Sequence, residues 1–162
     1  MISLRVYKSA WKIILPIIAI LTILAACASF QSKKGATSYF EEGALLVKKG
    51  KYDEAIKKYK KGLRIEPRSA VGYNYLGMAY GYKYEQLRSL SWRQKEIEAF
   101  KKAIELDANF FRPYFNLGII YYNMGNLKEA ASYFKKCLEI VPEHPNRKLM
   151  EQMIREGESE GS

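Results

Sequence analysis

The chain has 162 residues, 14% of them aromatic with 13 Tyr, and a formal charge of +10. This is enough for one domain, and so many aromatic wedges suit a small helical repeat. Two cysteines cannot build a disulfide framework, and the sequence holds no phosphate-cradling glycine loop, nucleophile elbow or zinc-ligand spacing, so no enzyme, cofactor or metal site is expected.

The first 26 residues read as an export signal. Arg5, Lys8 and Lys12 precede an apolar run from Ile13 to Ala26 that only Thr22 interrupts, and that run is shorter than the roughly 20 residues a membrane span needs. It ends in Leu24-Ala25-Ala26-Cys27, which resembles the lipobox of bacterial lipoproteins. The resemblance implies that the signal is residues 1–26, that Cys27 carries a diacylglycerol and that the chain is anchored to a membrane through its amino-terminal lipid. Ala26-Cys27-Ala28 also satisfies an A-x-A cleavage rule, so an ordinary secreted chain and an uncleaved anchor are the competing readings.

Removing residues 1–26 takes away three basic groups, and the mature charge becomes 24 − 17 = +7. A basic chain often meets nucleic acid, but an exported and tethered one does not, so no nucleic acid partner is expected. With Cys27 lipidated, Cys137 has no disulfide partner and is expected to be a buried core thiol.

Residues 27–35 are a short polar tether. From Ala36 onward the chain divides by internal spacing. Tyr39 to Tyr73 is 34 residues and Tyr73 to Tyr114 is 41, whereas Tyr59 to Phe100 is 41 and Phe100 to Phe134 is 34. Units at 36–69, 70–110 and 111–144 follow, with seven extra residues between Tyr80 and Glu96 of the second. Seven residues are two helical turns, roughly 10 Å if all lie on one helix. They give a tip, GYKYEQLRSLSWRQ, in which Tyr82, Tyr84, Arg88 and Trp92 are candidate partner contacts, because aromatic and Arg residues favour interface anchors. Self-packing within a longer hairpin is the alternative. Ser91-x-x-Gln94 is the expected capping box for the second helix, and neighbouring units are not expected to cover the tip.

In the third unit Leu117, Tyr121 and Met124 recur at helical spacing, Gly125-Asn126 breaks the helix, and Ala130, Phe134, Cys137 and Leu138 stripe a second one. A polar helix over residues 145–156, with Leu149, Met150 and Met153 inward, is expected to cover the last unit, and 157–162 to be disordered. His144 sits between two prolines and reads as a surface residue. Asp53/Lys57 and Glu54/Lys58 read as i,i+4 surface pairs.

The landmarks Tyr114-x2-Leu117-Gly118-x2-Tyr121, Ala130-x3-Phe134 and Pro142 closely resemble the 34-residue tetratricopeptide repeat (TPR) signature. That resemblance implies an all-α solenoid of three helical hairpins with a C-terminal capping helix. It also implies a groove lined by the first helices, here Thr37, Phe40, Ala44, Val47, Asn74, Met78, Gly81, Arg112, Phe115, Asn116, Ile119 and Tyr122, which would hold a protein or peptide partner. The family's carboxylate clamp is not matched: Phe40 and Ala44 stand at its Lys and Asn places in the first repeat and Tyr75 at the Asn place of the second, with Arg112 at a basic place. The function expected is a membrane-tethered TPR adaptor lipoprotein that mediates protein–protein interaction in assembly of a bacterial envelope complex. The alternative is an accessory subunit of an envelope enzyme such as a peptidase or cell-wall hydrolase. Ala28 stands where the inner-membrane retention signal of lipoproteins has Asp, so the outer membrane, facing the periplasm, is the expected location.

Overall fold

The computed structural model describes residues 35–159. The signal segment, Cys27 and most of the tether lie outside the described residues, as do residues 160–162. Among the described residues there are seven helices and no strand: α1 (Ala36–Lys48), α2 (Tyr52–Ile65), α3 (Ala70–Leu87), α4 (Leu90–Leu106), α5 (Phe111–Asn123), α6 (Leu127–Ile140) and α7 (Arg147–Ser159). They pair as hairpins α1–α2, α3–α4 and α5–α6, each packed on the next, with α7 against α6. No described helix is long and apolar enough to cross a membrane.

One device closes all three hairpins. The first helix carries a glycine where a bulky ring of the second helix docks: Gly43 faces Tyr59, Gly77 faces Phe100 and Gly118 faces Phe134. The rings are 2%, 1% and 0% exposed, so only a bare backbone lets the helices approach that closely. Gly62, at a place where the repeat usually has Ala, is explained the same way, since Phe40 fills the space against both Gly62 and Gly72.

Local signals place the helix ends. Gly50 and Gly125 take positive φ, +71° and +78°, in the turns of the first and third hairpins. The Ser69 side chain accepts the Gly72 N–H at 3.2 Å and caps α3. Pro113 lies in the first turn of α5, where its missing donor costs nothing. Tyr114, in the place of the signature Trp, donates its hydroxyl to the Ala108 carbonyl at 3.1 Å and ties α5 to the preceding turn.

The seven extra residues are shared rather than stacked on one helix. α3 has 18 residues against 13 in α1 and α5, and α4 has 17 against 14 in α2 and α6. With a turn one residue shorter, 5 + 3 − 1 = 7. The second helix opens at Ser89, not at Ser91, because Arg88 has already turned the chain with φ +51°, the one non-glycine positive φ among the described residues. That conformation is costly for a side chain with a Cβ. Arg88→Gly is therefore expected to raise the melting temperature by about 3 °C in a thermal scan, since the surface pair with Glu85 that it removes contributes little.

The C-terminal helix is longer than its apolar pattern indicates. Gly157, Glu158 and Ser159 are helical, because Gly157 packs on the Leu127 carbonyl and the Ala131 Cβ and Glu158 pairs with Lys135 at 2.6 Å. The inward stripe is Met150, Met153, Ile154 and Gly157, with Met150 wholly buried, while Leu149 is 45% exposed. Cys137 is a free buried thiol, and burial pushes its pKa up.

Candidate functional site

The first helices of the second and third hairpins, α3 and α5, border one cleft. Its lower part, about 410 Å³, is lined by Asn74, Met78, Phe111, Arg112, Phe115 and Asn116 together with Val141, His144, Pro145 and Asn146 of the turn after α6. Its upper part, about 310 Å³, shares Met78, Phe115 and Asn116 and adds Gly81, Tyr82, Glu85, Arg93, Glu96, Ile119 and Asn123. A third hollow lies between α1 and α3, with Thr37, Phe40, Ala44, Val71 and Tyr75 among its walls.

The expected groove residues do not share one environment. Met78 (38% exposed) and Arg112 reach solvent, and Phe115, Asn116 and Ile119 are half-buried in the wall. Asn74 is only 2% exposed. Its Oδ1 accepts from Asn116 Nδ2 at 3.5 Å and its own Nδ2 points at the Met78 sulfur, so it works as a polar strut beneath the cleft. Phe40 is 7% exposed and belongs chiefly to the core between the first two hairpins, because Gly62 and Gly72 leave it room there. Tyr122 donates its hydroxyl to Glu156 Oε2 at 2.7 Å, so α7 occupies that end of the groove.

His144 was legible only as a turn residue, yet it stands in the cleft wall. Its ring stacks on Phe115 at 5.1 Å and meets the edge of Phe111 at 5.6 Å, while its Nδ1 accepts the Asn146 N–H at 3.1 Å. The aromatic residues of α5 draw the post-repeat turn back over themselves, an effect without a local sequence signal.

The tip packs largely on the molecule itself. Tyr82 stacks on Tyr52 at 5.0 Å and the Lys83 ammonium reaches Asp53 at 3.0 Å, so the first turn of α2 covers the base of the extension. Trp92 is half-buried against Tyr80 and the Lys95 ammonium. Tyr84 lies between Arg93, 3.7 Å from its ring centre, and Arg88 at 5.7 Å. The most exposed apolar groups of the tip are Leu87 (56%) and Leu90 (76%). The i,i+4 surface pairs give way to other partners: Asp53 meets Lys83, Glu54 meets Lys51 and Lys58 meets Glu42 across the first hairpin.

A strongly perturbed carboxylate also borders the cleft. Glu96 takes the place of the usual small residue, and its Oε1 lies where a Cβ on Gly81 would stand. Arg93 Nη1 holds its Oε2 at 2.5 Å and Arg93 Nη2 reaches Glu85 at 3.4 Å. Burial outweighs the guanidinium and raises the Glu96 pKa to about 7. Nothing in the cleft pairs a nucleophile with a base, and the described residues hold no cluster able to bind a metal ion. What remains is an open, mixed apolar and amide-lined surface suited to an extended chain.

A stacked series of helical hairpins with glycine-docked rings and a terminal solvating helix is a helical-repeat solenoid. Residues 43–82 match the family model described as TPR repeat, and residues 111–144 match the one described as tetratricopeptide repeat. The chain thus contains tetratricopeptide repeats. A TPR repeat-containing protein of Methanocaldococcus jannaschii is 35% identical over 86 residues, 53% of this chain. The chain spans 15% of that protein and 16% of the yeast peroxisomal targeting signal receptor that it also matches. Among solved structures, MamA superposes with a TM-score of 0.65 at 25% identity over 90% of this chain and 77% of its own. The first TPR of Spaghetti (RPAP3), bound to an HSP90 peptide, gives 0.63 at 24% identity over 76% and 90%. The fold is the TPR solenoid.

Proposed function

We propose that this chain is a non-enzymatic, lipid-tethered adaptor of a bacterial envelope, which holds an extended segment of a partner protein in the α3–α5 cleft during assembly of an envelope complex. The observation that carries this reading is the cleft itself. Met78 and Arg112 are free to make contact, amides from both helices meet at its floor and no side chain in it is arranged for chemistry. The solved TPR bound to a peptide supports the mode of binding, and the lipobox-like Leu24-Ala25-Ala26-Cys27 supports the tether. The match to chaperone-peptide complexes does not extend to the occupant, since Phe40 is packed into the core at a place where the family's clamp has Lys.

Site-specific photocrosslinking in cells tests it. A benzophenone side chain at Met78 or Arg112 is expected to yield an adduct of one defined mass, and the same group at Lys128 none. An adduct from Leu90 alone would move the docking site to the tip of the long hairpin. Silence at all four positions would sink the adaptor reading.

A further inference from the structure

α2 turns a stripe of basic side chains outward. Lys57, Lys60, Lys61 and Arg64 are exposed at i, i+3, i+4 and i+7, opposite the buried Ala55, Ile56, Tyr59, Gly62 and Leu63. Lys51, Lys58 and Lys83 meet carboxylates, but none of those four does so among the described residues, and only Lys60 of the four has its ammonium over a ring there, 5.8 Å from the centre of Tyr80. The charge is local to this hairpin. Residues 36–69 carry nine Lys and Arg against five Asp and Glu, a net +4, whereas 70–110 and 111–144 carry +1 each and 145–159 are neutral.

The stripe also lies at the end of the array where the chain arrives from its amino terminus. α2 runs back along α1, with Gly62 against Phe40 and Glu66 lining the same hollow as Thr37, so Arg64 and Lys61 stand near the start of α1. Eight residues separate Cys27 from Ala36, a reach of at most about 28 Å. Basic residues held that close to a bilayer are drawn to anionic headgroups.

We infer that the Lys57–Lys60–Lys61–Arg64 face of α2 lies on an anionic phospholipid surface, an inference that rests on the lipid-tether reading of Cys27. The cleft is built from α3, α4, α5 and the turn after α6, none of which contributes to this face, so docking leaves the cleft open to a partner.

The test is lysine acylation of the full chain in vesicles of phosphatidylcholine alone or enriched in phosphatidylglycerol, read residue by residue by mass spectrometry. Lys57, Lys60 and Lys61 are expected to react about fivefold more slowly on the anionic vesicles, with Lys128 of α6 unchanged and the difference erased by high salt. Equal reaction on both vesicles overturns the docking, and so does shielding by a DNA duplex without shielding by vesicles. The tether fails separately: the same spectra report whether Cys27 carries acyl chains, and without them the vesicle comparison still judges the α2 face.

Discussion

Gly118→Val is expected to destabilise the protein by about 3 kcal/mol in urea unfolding. A Cβ there would stand 2.5 Å from Phe134 Cε1, and the Phe134 ring, 0% exposed, has no free space to swing into. The gain in helix propensity on replacing a mid-helix glycine by valine, about 0.3 kcal/mol, is much smaller than that clash. The contact is tested by a double-mutant cycle. Phe134→Ala alone is expected to lose about 3–5 kcal/mol to the cavity it leaves. With the ring gone, Gly118→Val finds that cavity and adds little further cost, so the two effects are strongly non-additive. Simple additivity would show that the ring and the glycine do not share one space.

Stability is expected to fall as pH rises from about 4.5 to about 7, and Glu96 is the cause. Its folded-state pKa, about 7, lies above the ordinary 4.5. Below 4.5 both states hold the proton and burial of the neutral acid is harmless. Between the two values the unfolded chain releases a proton that the folded chain keeps, so folding weakens with pH by up to about 3 kcal/mol, and above 7 the loss is complete. Glu96→Gln keeps the shape without the titration, and its melting temperature should vary less across that window than the wild type does. Parallel pH profiles for the two proteins would mean that Arg93 holds the carboxylate ionised throughout.

The three hairpins, their phase and the length of the insertion were legible because ring, glycine and apolar positions recur at fixed offsets. The candidate site was less so. Phe40 aligns with groove positions of the first repeat, but its fate was decided by glycines 22 and 32 residues further on, at Gly62 and Gly72, which opened a hole in the core. Asp53 has a basic residue four positions away, yet the lengthened α3 brings Lys83 to it from a neighbouring hairpin. His144 looked like a turn residue because its partners Phe111 and Phe115 lie a whole hairpin earlier. Helical period reports which face a residue occupies. It does not report which distant side chain has left room there.

The paired growth of α3 and α4 has a consequence for how such a chain can change. Two added turns leave the Gly77–Phe100 joint in the phase of its neighbours, so the base of the hairpin keeps its shape whatever is built above it. Each unit can thus lengthen at its far end while the glycine–ring joint at its base stays in place. The distal surface, where Leu87 and Leu90 now face water, is open to variation that the rest of the array does not register.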